Sequence, residues 1–92
     1  MKQKATWWVY LLRCGDGSLY TGVTTDPLRR ERQHNAGTGA KYTRARRPVE
    51  LVYREVCPDQ SAALKREWAI KQLPRSKKLL LIGEEKNQKE RP

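Results

Sequence analysis

Two rhythms of apolar and polar positions run along this chain. From Trp7 to Arg13 (W-W-V-Y-L-L-R) the apolar positions are nearly continuous, which predicts a strand buried on both faces. From Leu19 to Thr24 (L-Y-T-G-V-T) they alternate, and a second strand is expected; Gly15-Asp16-Gly17 between the two is a turn signal. A third alternating run covers Val49 to Val56. Asp26-Pro27 starts a helix, with an acid at the N-cap and proline at the first helical position. That helix is expected to reach about Asn35 and end at Gly37, with Leu28 as its main anchor. Gly37 to Pro48 reads as a basic loop. Pro58-Asp59 starts another helix over about 60–73, which Pro74 ends, and a short helix from Ser76 to Ile82 follows. Residues 1–5 are polar and expected to fray. Gly83 to Pro92 has no apolar residue and predicts a disordered polar tail. The resulting fold class is α+β: a small three-stranded antiparallel sheet flanked by helices, order β-β-α-β-α-α, in one domain over residues 5–80.

Grouping of side chains sets the hairpin register. A two-residue Asp-Gly turn pairs Gly15 with Ser18 and puts Tyr10 and Tyr20 on opposite faces. A three-residue loop with left-handed Gly17 pairs Cys14 with Ser18 and Leu12 with Tyr20. Tyr10 then lies opposite Gly22 and on the same face as Tyr20, while Val9 and Leu11 join Leu19, Thr21 and Val23 on the other. The second register keeps like with like and is the one expected. The missing side chain at Gly22 leaves space in front of Tyr10.

Charge changes the picture most. Of 92 residues, 20 are Lys or Arg and 10 are Asp or Glu, a net charge of +10. A surplus of that size on so small a domain points to a polyanion, with nucleic acid the leading partner. No run of 18 apolar residues is present, so no membrane span is expected, and the N-terminus lacks the apolar core of a signal peptide. Cys14 and Cys57 make neither a disulfide framework nor a zinc motif, consistent with a cytoplasmic chain carrying two free thiols.

Five groups are candidates for chemistry. Glu67 lies beside the apolar stripe of its helix, near Ala63, Leu64, Ile70 and Lys71. A carboxylate at a core boundary is either ion-paired, with Lys71 or an arginine, or holds a divalent metal. Tyr10 and Tyr20 share a sheet face, and Arg30 and His34, four apart, share a helix face. Arg30 can give two donors to phosphate, and His34 is the residue that titrates nearest neutrality when unperturbed. A phenol acting as base needs a neighbouring guanidinium or metal, because its reference pKa of about 10 makes ionisation at pH 7 cost roughly 4 kcal/mol. If the Tyr10 hydroxyl serves chemistry alone, Tyr10→Phe is expected to leave the melting temperature nearly unchanged. Trp7, Trp8 and Trp68 are expected in the core. Arg29, Lys41, Arg44, Arg46 and Arg47, and separately Lys71, Arg75, Lys77 and Lys78, are either phosphate contacts or a solvated face.

Taken together, Val9-Tyr10, then Tyr20-Thr21-Gly22, then Arg30 and His34 in P-L-R-R-E-R-Q-H-N, then Glu67 in a later helix, resemble the GIY-YIG nuclease superfamily, in particular its small stand-alone bacterial members. The resemblance spans residues 5–80. It implies that Tyr10 is the general base on water and that Tyr20 lines the site. It also implies that Arg30 stabilises the pentavalent phosphate, that His34 assists by hydrogen bonding or proton transfer, and that Glu67 holds a single Mg²⁺ or Mn²⁺ at the leaving 3′ oxygen. Many members carry an asparagine after the glutamate helix; here P-R-S-K-K-L-L-L-I stands there, offering only Lys77 or Lys78 in its place. The expectation is a monomeric, metal-dependent endonuclease acting on DNA. The alternatives are a non-catalytic nucleic-acid-binding module on the same fold, RNA-directed in one version, and an interaction adaptor whose charge is incidental.

Overall fold

A computed structural model describes residues 5–90, and from residue 84 onward its backbone alone. The expectations for residues 1–4 and for Arg91 and Pro92 lie outside the described residues. Strand β1 (Trp7–Arg13) is central, with β2 (Leu19–Thr24) on one side and β3 (Glu50–Cys57) on the other, all antiparallel. The element order matches expectation with one addition: a single helical turn, α2 (Lys41–Arg44), lies within the basic loop after α1 (Pro27–Asn35). Helices α3 (Gln60–Lys71) and α4 (Arg75–Glu90) complete the chain.

The odd-loop register is the one adopted. Tyr10 faces Gly22 and Leu12 faces Tyr20. The Cys14 N–H donates to Ser18 O at 2.8 Å, and Gly17 takes φ +86°, a backbone conformation that side-chain-bearing residues rarely adopt. Alternation along β1 therefore builds two cores. On one face Val9 and Leu11 pack with Ala63, Ile70 and Ile82 under α3 and α4. On the other, Tyr10 and Leu12 pack with Cys14 and Val49, with Tyr20 and Leu51 at the margin. Both cysteines are free and buried.

Helix α1 covers the second face by an unexpected route. Its N-cap is as read, Asp26 Oδ1 accepting from the Arg29 N–H at 3.1 Å. Leu28, however, is 52% exposed and is not the helix's main anchor. Pro27 and His34 are the helix's buried residues, and polar side chains tie it to edge strand β3. Glu31 Oε2 accepts from the Leu51 N–H at 2.7 Å, while Asn35 accepts from the Val49 N–H and donates to its carbonyl. These bonds occupy edge groups that another chain could otherwise pair with.

Two further expectations fail. Trp68 is 67% exposed rather than core. On α3 the positions facing the sheet step through Ala63, Glu67 and Ile70, which leaves Leu64 and Trp68, four apart, on the adjoining outward stripe. Trp7 and Trp8 are partly buried; Trp7 packs on the Val9 core, and the Trp8 ring lies beneath the Arg54 guanidinium. The last helix also continues to Glu90 instead of stopping at Ile82. Residues 84–90 are dominated by Glu, Lys and Gln, which favour helix, so propensity outweighs the want of apolar anchors.

Candidate active site

The site is built on the Tyr10 face of the sheet, where β1, β2, α1 and α2 meet. Strand alternation aims Tyr10 and Tyr20 to the same side, with ring centroids 6.4 Å apart. Helix periodicity aims Arg30 and His34 toward them. The space opposite Tyr10 at Gly22 holds the phenol's own hydroxyl, which would lie 2.5 Å from a Cβ built there.

Tyr10 Oη is 2.9 Å from His34 Nε2, and His34 Nδ1 is 2.6 Å from Thr43 Oγ1. Thr43 in turn donates to the Ala40 carbonyl at 3.1 Å. Tyr10, His34 and Thr43 are 1%, 0% and 0% exposed, so this chain of polar groups is internal. Tyr20 closes it on the outside, its ring centroid 5.2 Å from that of His34. Tyr42 stacks on Tyr20 at 5.9 Å, and the Arg46 guanidinium caps the Tyr42 ring at 3.8 Å. Arg30 is fixed by donation to Gln33 Oε1 at 2.9 Å and to the Gly39 carbonyl at 3.1 Å, and its guanidinium stands near the Tyr10 phenol and favours its ionised form. Tyr20 and Arg30 are only partly buried, so these two side chains face solvent in front of Tyr10.

Electrostatics follow from the burial. Desolvation pushes the Tyr10 phenol up to about 12, against the pull of the Arg30 guanidinium; Tyr20 and Glu67 add smaller upward contributions. Desolvation, and after it the Arg30 charge, hold His34 down to about 4. Both groups are therefore neutral at pH 7. The hydroxyl of Tyr10 sits in a buried hydrogen bond, so Tyr10→Phe is expected to cost stability whether or not the phenol does chemistry.

Glu67 approaches from α3. Its side chain is 19% exposed and pairs with Lys71 Nζ at 3.2 Å, the ion pair that was one of its two readings. Its helix packs on the Val9–Leu11 face, and among the described residues no hydrogen bond or ion pair joins Glu67 to Tyr10, Tyr20, Arg30 or His34; its link to them is a small electrostatic push on the Tyr10 phenol. No cluster of three His, Cys, Asp or Glu suited to a metal occurs among the described residues. A protein-only cage is therefore not what these residues offer. One carboxylate that already holds a cationic ammonium does fit Mg²⁺ or Mn²⁺, ions that keep several waters and complete their shell with phosphate oxygens.

The candidate phosphate contacts divide. Arg29, Lys41, Arg44, Arg47, Lys71, Arg75 and Lys77 are exposed, while Arg46 and Lys78 are half-buried. The loop arginines also brace their own backbone: Arg44 donates to Gly37 O, Arg46 to Tyr42 O and Asp16, and Arg47 to Arg44 O. Each uses one or two of a guanidinium's five donors in this way. Sequence reading missed Thr43, Tyr42 and Gly39. At Gly39 any Cβ would collide with the His34 ring. The only signal was their position in the segment G-T-G-A-K-Y-T-R, which reads as loop.

Known proteins are similar to this chain. A family model described as the GIY-YIG catalytic domain matches residues 6–79. UPF0213 protein DP2720 of Desulfotalea psychrophila is 55% identical over 80 residues, covering 86% of this chain and 73% of that protein. A UPF0213 protein of Staphylococcus aureus is 57% identical over 76 residues, covering 83% of this chain and 93% of the relative. The solution NMR structure of UPF0213 protein BH0048 from Bacillus halodurans superposes with a TM-score of 0.55 at 46% identity, over 85% of this chain and 83% of that one.

Proposed function

This chain belongs to the GIY-YIG catalytic-domain family, and from that premise we propose that it is a metal-dependent endonuclease that hydrolyses phosphodiester bonds in DNA. The supporting observation is convergence. Tyr10, Tyr20, Arg30 and His34, spread over 25 positions of sequence, form one cluster with a direct Tyr10–His34 hydrogen bond.

Arg30 and Tyr20 form the solvent-facing edge and receive the phosphate, Arg30 opposing the charge that builds up on the pentavalent phosphorus. Tyr10 takes the proton of the attacking water. For that its own proton must first move to His34 Nε2, which leaves a phenolate beside the Arg30 guanidinium. In the resting protein this transfer is uphill, since the phenol is held high and the imidazole low. Glu67 would hold the Mg²⁺ or Mn²⁺, which when bound supplies positive charge at the leaving 3′ oxygen. Neutralising Glu67 also removes one of the influences that disfavour the phenolate. The exposed cations of residues 41–47 and 71–78 follow the strand by phosphate contact.

A second reading has its own observation. Tyr10 and His34 are almost fully buried and satisfy each other, as a purely structural network does. On that reading the domain binds DNA or RNA through its cations and cuts neither.

One comparison separates the two. Labelled single-stranded and branched DNA is incubated with Mg²⁺ or Mn²⁺ and either wild type or Glu67→Ala. Cutting that needs the metal and is lost in the variant, with binding retained, supports the nuclease. Binding without cutting, or equal cutting by the variant, supports the binding module. Arg46→Ala with Arg47→Ala should weaken binding to every sequence and flatten its salt dependence.

A further inference from the structure

The hydrogen bonds around His34 carry a direction. Tyr10 is 1% exposed, so its phenolic proton needs an acceptor inside the protein. Arg30, the guanidinium near the phenol, has donors only. Among the described residues the acceptor in reach is His34 Nε2, at 2.9 Å. A neutral imidazole that accepts at Nε2 carries its proton on Nδ1. That proton points at Thr43 Oγ1, 2.6 Å away, whose own hydrogen is then free to go to the Ala40 carbonyl at 3.1 Å. Read from the other end, the pattern agrees: a threonine hydroxyl donating to a backbone carbonyl can only accept from the ring. The same face of His34 is closed by Gly39, where no side chain fits. The ring is therefore held both in place and in one tautomer.

We propose that Thr43 is a positioning residue: its hydroxyl, anchored on the Ala40 carbonyl, fixes His34 in the Nδ1–H tautomer so that the Tyr10 hydroxyl donates to Nε2. Resting on the nuclease reading, the consequence is that the phenol proton has a vacant lone pair to enter. Tyr10 Oη loses the proton and Nε2 gains it, giving phenolate and imidazolium with no change in total charge. In the opposite tautomer Nε2 carries a hydrogen, and this exit is shut.

His34 is the chain's one histidine, so the imidazole signals of ¹⁵N-labelled protein need no assignment among residues. At pH 7 a long-range ¹H–¹⁵N spectrum of wild type should show Nδ1 protonated and Nε2 bare. Thr43→Ser, which keeps the hydroxyl, should show the same pattern. Thr43→Val, which removes it, should show a tautomer mixture or the Nε2–H form. Where cleavage is measured, Thr43→Val should lose on the order of 10–100-fold, as removal of an orienting partner typically does, and Thr43→Ser should restore most of it. A wild-type spectrum with Nε2 protonated overturns the proposal, as does a Thr43→Val spectrum identical to wild type. Should Thr43→Val fail to fold, wild type and Thr43→Ser still decide it. Absence of any cleavage by wild type sinks the nuclease reading instead and leaves the spectrum to judge the tautomer.

Discussion

Two tyrosines on opposite faces of this sheet, Tyr10 and Tyr53, are both pushed up to about 12, yet their surroundings prepare them for different fates. In each the first cause is burial. At Tyr53 the remaining forces largely agree with it: the hydroxyl donates to Glu55 Oε1 at 2.6 Å, and Glu55 is held in turn by Arg66 at 2.9 Å. Ionising Tyr53 would set two negative charges in contact, so that phenol is locked as a donor. At Tyr10 the largest force after burial opposes it, the pull of the Arg30 guanidinium, and the acceptor is a neutral imidazole able to take the proton. The size of a shift thus says little about function. Each phenol has a guanidinium beside it, Arg30 at Tyr10 and Arg66 at Tyr53, so what matters is whether the acceptor is a neutral group that can receive the proton.

Paired substitutions put that contrast at risk. The largest expected difference is in catalysis: Tyr10→Phe should lower cleavage by roughly 10²–10⁴-fold, the usual worth of a positioned acid or base, while Tyr53→Phe leaves it near wild type. Comparable losses for both in a gel assay would erase the distinction. Next comes the acid side of stability. Unfolded His34 takes its proton near 6.5 and the folded one only near 4, so the unfolded chain binds more protons between those values. Stability should therefore be full above pH 6.5 and fall as the pH drops toward 4, by on the order of 3 kcal/mol. Urea melts across that range should show the slope in wild type and Tyr53→Phe but not in His34→Gln.

Smaller effects refine the picture. Gly22→Ala drives a methyl group into the Tyr10 hydroxyl and should cost about 1–3 kcal/mol in chemical denaturation. Tyr53→Phe, which removes one partly buried hydrogen bond, should cost about 1 kcal/mol. Arg66→Ala should cost under about 1 kcal/mol, since both members of its ion pair are about one-third exposed. A loss from Arg66→Ala larger than that from Gly22→Ala would mean that the ionic network, not the phenol–imidazole contact, is the stricter structure.

Much of this was legible in order along the chain. The Gly15-Asp16-Gly17 loop and the alternation of β2 fixed a register in which Tyr10 and Tyr20 share a face, and the four-residue step from Arg30 brought His34 beside them. Leu28 and Trp68 misled because hydrophobicity predicts burial only where the rest of the fold supplies something to bury against. Helix α1 is instead pinned by Glu31 and Asn35, polar side chains whose partners lie on β3 (Leu51) and just before it (Val49).

By itself the sequence determined the strands, the turn, the helix starts and the strong positive charge, because strand and helix periods, glycine turns and proline starts act between neighbours a few positions apart. Only the tertiary structure decided that Thr43 meets His34, that Tyr42 stacks on Tyr20, and that Trp68 faces solvent. Those outcomes depend on tenths of an ångström between side chains carried by separate elements, and no local period encodes such a distance.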